Sequence, residues 1–335
     1  MKKVTMADVA KKANVSKSTV SQFLNKRYQY MGEETKRNIE EAIKELGYQP
    51  NFIARSLKQK RTSTIGIIVA NIMHRLSTEV SRAIEDFCRS NEINTIVCNA
   101  DDDPIKEKKY IEMLRAKQVD GLIIFPTGKN QELYKNMVDQ QYPLVFMDRI
   151  VSDVKVDTVV VKNEEWASRG IQHLIDNGHE RIAMIAPPLT ISPRIERAEG
   201  YKKTLRKNGI DLNPHYFIST EIGTVKKELA RLLAGDKPPT AIFAANDLAF
   251  LQVAEYVKEK AIQVPEELSI IVFDNIPFAH ISTPTITTIA QPSFEMGKKA
   301  AELLLLQIEG EGTKPRIYAF DGDLIIRESS ESKKA

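Results

Sequence analysis

The stretch VTMADVAKKANVSKSTVSQFLN, residues 4–25, decides how the N-terminal end folds. Apolar or small residues at Val9, Ala10, Ala13, Val15, Val20 and Leu24 recur at helical spacing and give two short helices one inward face each. Thr5-Met6-Ala7-Asp8 fits a capping box, because a Thr side chain accepts from the amide three residues on while the acidic side chain reaches back. Asn14 falls at the turn, where its short amide tolerates a left-handed backbone, and Ser16 can cap the second helix. The outward side of that helix carries Lys17, Ser18, Ser21, Gln22 and Asn25, which are hydrogen-bonding groups and one cation rather than an apolar face. A polar, aromatic loop from Lys26 to Met31 follows. A third helix is expected over about Gly32–Leu46, with Gly47 ending it. Residues 1–47 thus read as a minimal all-helical unit.

Working outward, 335 residues are too many for one small core and suggest two or three domains. Residues 1–61 hold 14 Lys and Arg against 6 Asp and Glu, a net of +8; with +3 overall, the remainder is net −5. A basic head on an acidic body suits a head that meets phosphates, although a solvated helical face has the same composition. Cys88 and Cys98 lack metal-ligand spacing and read as buried small hydrophobes in a reducing compartment. No apolar run approaches about 18 residues, and Lys2 and Lys3 precede no signal-type apolar core, so a cytoplasmic location with no membrane span is expected. Enzyme signatures are missing: there is no phosphate-binding Gly-rich loop ending in Lys-Ser/Thr, no GxSxG elbow and no HExxH, and the five histidines are scattered. No catalytic residues, metal or cofactor are expected.

Residues 48–62, YQPNFIARSLKQKRT, form a basic linker with helical bias, too short for a stable helix alone in water. From Thr64 the pattern changes to apolar strands alternating with helices. Strands are expected at Thr64–Ala70, Asn94–Ala100, Val119–Pro126, Pro143–Asp148 and Thr158–Val161, then at Arg181–Ala186, His215–Ser219, Thr240–Ala245, Leu268–Phe273 and Thr287–Ile289, with short ones near Ile317–Phe320 and Leu324–Ile326. Such runs argue for two doubly wound parallel-sheet lobes with helices on both faces and a ligand crevice at the carboxyl ends of the strands.

The helical signature, the phrases Tyr48-Gln49-Pro50-Asn51 and Ala54-Arg55-Ser56-Leu57, and the α/β remainder together resemble the LacI family of bacterial transcription regulators, over nearly the whole chain. The resemblance implies a helix-turn-helix headpiece (1–47), a hinge helix (48–62) and a periplasmic-binding-protein-like core (63–330). It places the chain crossings near residues 160, 290 and 320, with the DNA-proximal lobe at about 63–160 and 290–320 and the distal lobe at 161–289 and 321–330. It implies a homodimer on a near-palindromic operator with half-sites set by the DNA turn of about 34 Å. In the headpiece Thr5, Ser16, Lys17, Ser18, Thr19, Ser21, Gln22 and Asn25 become candidate DNA contacts. In the hinge the candidates are Asn51, Ala54, Arg55, Leu57 and Lys58, with Leu57 wedging into the minor groove. Many relatives carry Arg where Gln22 stands, and Gln pairs with adenine where Arg prefers guanine.

For the crevice, Asp148, Asn246, Asp247 and Asp274 follow strands, and Arg197 sits in the family's Arg-x-x-Gly-aromatic phrase as Arg197-Ala198-Glu199-Gly200-Tyr201. Carboxylates and amides there suit ligand hydroxyls, with helix or turn capping as the alternative for Asp247 and Asp274. Met73-His74-Arg75-Leu76-Ser77 replaces the Asn-Pro-aromatic platform of many relatives, Lys162-Asn163 replaces Asp-Asn, and the aromatic expected near 219–222 is absent. His74, Arg75, Lys162 and Arg197 would make the crevice cationic, favouring an acidic sugar such as a keto-deoxy sugar acid as inducer of a carbohydrate catabolic operon, with corepression left open and plain solvent exposure as the alternative for Arg75 and Lys162. Alternatives are control by a partner protein docked on the core, or a sugar-binding transport component, which the basic headpiece and missing signal peptide disfavour.

Overall fold

The computed structural model describes residues 4–29, 31–48 and 61–331. The chain divides into two compact units, Met1–Thr62 and Ser63–Ala335.

In the first unit three helices, α1 (Met6–Lys12), α2 (Lys17–Leu24) and α3 (Glu33–Leu46), enclose a core of Val9, Ala10, Ala13, Val20, Met31, Ile39, Ala42 and Tyr48. The ends form as their residues dictate. Asp8 Oδ2 accepts from the Thr5 amide at 2.8 Å, and Ser16 Oγ accepts from the Thr19 amide at 3.0 Å. Asn14 takes a left-handed φ of 54°, and Gly47 closes α3 at φ 59°.

The second unit contains two six-stranded sheets built alike. The first lobe uses β1 (Thr64–Val69), α4 (Arg75–Ser90), β2 (Asn94–Asn99), α5 (Pro104–Ala116), β3 (Gly121–Ile124), α6 (Gln131–Asp139), β4 (Leu144–Met147) and β5 (Asp157–Val161). The second uses α7 (Asn163–Asp176), β6 (Ile182–Ala186), α8 (Ser192–Lys207), β7 (Phe217–Ser219), α9 (Val225–Leu233), β8 (Ala241–Ala244), α10 (Asp247–Glu259), β9 (Ser269–Phe273) and β10 (Thr287–Ala290). The chain then returns to the first lobe with α11 (Ser293–Glu309) and β11 (Ile317–Phe320) and ends in the second with β12 (Asp323–Ile325). The sheet orders are β2-β1-β3-β4-β5-β11 and β7-β6-β8-β9-β10-β12, and every pairing is parallel except β10 with β12.

The central strands are apolar and buried along their length, such as IAMIA at β6 and SIIVF at β9, because helices cover both faces. Three crossings join the lobes, at 161–163, 290–293 and 320–323. They converge: Lys162 Nζ pairs with Asp321 at 2.8 Å, and the Gly322 backbone packs where an added Cβ would meet the Ala290 carbonyl at 2.9 Å and the Trp166 ring at 3.1 Å. Several strands are shorter than expected, β7 and β3 among them. Residues 214–216 form a 3-10 turn capped by Asn213, so β7 starts at Phe217, and β3 occupies only the middle of 119–126.

Candidate functional site

On α2 the exposed side chains are Lys17, Ser18 and Gln22, with Thr19, Ser21 and Asn25 half-buried beside them. Ser16, exposed at the helix start, spends its hydroxyl on Ser18 Oγ at 2.6 Å and Thr19 Oγ1 at 2.8 Å. Asn25 donates to the Ser21 carbonyl at 2.6 Å, and Thr5 Oγ1 donates to Asp8 at 2.7 Å. Thr5, Ser16 and Asn25 therefore hold the unit's shape, leaving Lys17 and Gln22, and beside them Ser18 through the hydroxyl it shares with Ser16, as the exposed polar groups of this face. The hinge candidates Asn51, Ala54, Arg55, Leu57 and Lys58 lie outside the described residues.

The crevice of the second unit is lined at the carboxyl ends of strands from both sheets. Ala70 follows β1, Phe125 follows β3, Asp148 and Arg149 follow β4, Asn246 follows β8 and Asp274 follows β9; Ile191, Arg194 and Arg197 come from the start of α8, and Gln291 from a crossing. The space between them is narrow, about 50 Å³, room for a few waters. Asp148 and Asp274 occupy equivalent places in the two lobes and both hold positive φ, 68° and 111°. Bulky residues avoid such backbone, and it persists where surrounding structure enforces it.

Arg197 is buried. Its Nε donates to Asn163 Oδ1 at 2.9 Å, its Nη1 to the Ala245 carbonyl at 2.7 Å, and its guanidinium stacks 3.6 Å from the centre of the Phe273 ring. Gly200, one turn on, makes this placement possible: a Cβ there would lie 2.4 Å from the Glu164 carbonyl of α7. Burial, together with the Asp247 charge, pushes the Asp274 carboxyl up to about 7 against the pull of Arg197 and His74. Asp274 accepts from Gln291 Nε2 at 2.5 Å and from the Asp247 amide at 3.2 Å.

His74 and Asp247 tie the lobes: His74 Nδ1 lies 2.6 Å from Asp247 Oδ1, and the Arg75 amide donates to Asp247 Oδ2 at 2.8 Å. Burial lowers the His74 pKa, but the bond to and charge of Asp247 outweigh it and hold the imidazole above its usual range. Asn246, the residue before Asp247, caps α10: its Oδ1 accepts from the Ala249 amide at 2.9 Å. The Ile150 amide donating to Ser192 Oγ at 2.9 Å is a second tie.

The expected constellation is thus brought together for His74, Asp148, Arg197, Asn246, Asp247 and Asp274, with two corrections. The Arg75 side chain turns to Glu79 at 2.6 Å along its own helix, and Lys162 is an exposed partner of Asp321 at a crossing; neither lines the space. An i,i+4 acid beside Arg75 was the signal for the first, since helix neighbours at that spacing meet. Cations missed by the sequence reading supply the charge instead. Arg149 is buried next to Asp148, and Arg194 lies one helical turn before Arg197, a spacing that could have marked it as sharing that face. Among the described residues no helix is long and apolar enough to cross a membrane, and no group of three His, Cys, Asp or Glu is placed to hold a metal.

Comparison with known proteins matches this geometry. Residues 5–51 match the family model "Bacterial regulatory proteins, lacI family", and residues 171–330 match "Periplasmic binding protein-like domain". The chain is 48% identical over 308 residues, 91% of each sequence, to the probable HTH-type transcriptional regulator EndR of Paenibacillus polymyxa. It is 33% identical over 335 residues, 97% of each, to the HTH-type transcriptional regulator KdgR of Bacillus subtilis. The crystal structure of the lac repressor dimer bound to operator and the anti-inducer ONPF superposes with a TM-score of 0.85 at 25% identity, covering 98% of this chain and 99% of that one. A DNA-reading headpiece followed by a two-lobed effector core, matched by these relatives along almost the full length, places the chain in the LacI family of helix-turn-helix transcription regulators.

Proposed function

We propose that the protein is a homodimeric repressor of a carbohydrate catabolic operon, released from a near-palindromic operator when an acidic sugar binds the crevice. The observation that carries the acidic ligand is the trio Arg149, Arg194 and Arg197 on the walls of the crevice, with no aromatic platform after β1, where the exposed Met73 stands. Asp148, Asn246 and Asp274 supply partners for sugar hydroxyls beside them. Resemblance to the operator-bound lac repressor dimer supports the DNA and dimer parts of the reading.

The route from ligand to DNA begins at β1. Its first residues follow the linker directly, and its other end runs into the crevice loop that carries His74. A ligand that changes the spacing of the lobes therefore acts on the strand continuous with residues 48–62. It shifts DNA affinity only by as much as it distinguishes the open from the closed core.

Thermal-shift screening of the full-length chain against sugar acids and their neutral counterparts, followed by gel shift on operator DNA with each hit, tests this. Selective stabilisation by an acid that also releases DNA is the expected result. Tight binding of a neutral sugar alone overturns it.

A further inference from the structure

Arg149 and Arg194, one from each lobe, both turn to a single carboxylate of the chain itself. Arg149 Nη1 lies 2.6 Å from Asp102 Oδ1, and Arg194 Nη2 donates to Asp102 Oδ2 at 3.2 Å. The first contact is close but poorly aligned: Asp102 Oδ1 and Arg149 Nε have no hydrogen-bond partner, and neither does Asp148 Oδ1 beside them. Arg149 is 4% exposed, and its Nε lies 3.6 Å from Asp148 Oδ2, within ion-pair range but too long for a hydrogen bond, so it is a buried donor with no hydrogen-bond acceptor.

Asp102 is held in place at some cost. It and Asp101 are consecutive non-glycine residues with left-handed φ, 53° and 55°. Asp101 is pinned by Lys106 at 2.6 Å and Asn99 at 2.7 Å, and the Asp102 amide donates to the Ala70 carbonyl at 2.7 Å. The Asp102 side chain is 33% exposed against 5% for Arg149 and 16% for Arg194. The carboxylate is therefore the solvent-facing member of the cluster, and the two guanidiniums are the buried ones. One carboxylate facing two guanidiniums is also the arrangement an acidic ligand would need, since each arginine offers paired donors to carboxylate oxygens.

We propose that Arg149 and Arg194 form a two-armed carboxylate clamp in which Asp102 sits as a built-in competitor, so that an acidic ligand binds by displacing Asp102. The proposal rests on the acidic-effector reading and deepens it. Asp102 sets a threshold: it excludes weak anions, keeps the arginines paired, and ties the lobes until a ligand with both a carboxylate and hydroxyls replaces it.

Calorimetry on the full-length protein with 2-keto-3-deoxygluconate, D-galacturonate and neutral D-galactose tests this. Asp102→Asn is expected to raise the affinity for at least one acid by about tenfold or more, a change of about 1.4 kcal/mol, while leaving galactose within about threefold. Arg194→Gln, which keeps the Asp102–Arg149 pair and serves if Asp102→Asn folds poorly, is expected to weaken the same acid about tenfold and spare galactose. If wild type binds an acid but Asp102→Asn weakens acid and galactose alike, or leaves the acid unchanged, Asp102 is only a brace and the clamp is overturned while the acidic-effector reading stands. If no acid binds wild type or either variant, both fall together.

Discussion

His74 and Asp247 meet across the crevice with Nδ1 and Oδ1 2.6 Å apart, joining the loop after β1 to the first turn of α10. The bond is largely shielded, with side-chain exposures of 17% and 7%. His74→Ala leaves the Asp247 carboxylate with backbone donors only. We expect it to lower the unfolding free energy by about 1–3 kcal/mol at pH 6.5, a charge-assisted bond's worth. Urea unfolding measures this, and a change below about 0.5 kcal/mol would show that the tie contributes nothing.

The same cluster makes stability pH-dependent. His74 titrates above its unfolded value, so its contribution is complete below about 6.5 and disappears as pH rises through its folded pKa. Asp274, raised from 3.8 to about 7, is favoured in its protonated form, so the folded state loses ground as pH rises from about 4 to 7. Asp102 and Asp247 are lowered despite burial, Asp102 chiefly by Arg149 and Asp247 by His74, so theirs is lost as pH falls through their folded values. Melting temperature should therefore fall from about pH 4 to 7, with His74 extending the fall above about 6.5, and Asp274→Asn should flatten the part below 7. An identical slope in the variant would rule out Asp274 as its source.

Gly200→Ala is expected to cost about 1–3 kcal/mol, in the range of overpacked core sites, because the new methyl would sit 2.4 Å from the Glu164 carbonyl. Pushing α8 off α7 also moves Arg197 off Phe273, so effector affinity should fall together with the melting temperature. Calorimetry and thermal melting on one preparation check both.

In the headpiece Lys17→Ala should weaken DNA binding evenly across operator sequences and reduce the salt dependence, as for a phosphate contact. Gln22→Ala should cost about 1–3 kcal/mol, concentrated at one base pair in each half-site. Fluorescence anisotropy on a panel of operator variants separates the two, and a uniform loss for Gln22→Ala would remove it from base reading.

Much of this architecture was legible because the elements announce themselves locally. Thr5 and Asp8, Asn14, Ser16 and Gly47 mark the headpiece's ends by capping and left-handed chemistry that needs no tertiary context. The central strands are uninterrupted apolar runs because both faces are covered. The crevice was legible where residues end strands, as Asp148 and Asp274 do. It was misjudged where side-chain direction matters: Arg75 and Lys162 sit at the right places in the chain, but nearby acids, Glu79 and Asp321, draw them away. Asp321 is 159 residues from Lys162, a pairing that no local pattern discloses. Arg149 and Arg194 escaped notice because their roles depend on Asp102, at the end of a different strand.

The order in which the chain visits the two sheets has a consequence for synthesis. Strand β11 supplies an edge of one sheet and β12 an edge of the other, and only residues 321–322 separate them. Both sheets therefore take an edge strand from the same short segment, and neither is complete until the chain has been made through residue 325. A frameshift just before Ile317 would remove an edge strand from both sheets at once, so damage at this one point is expected to loosen both lobes together rather than either alone.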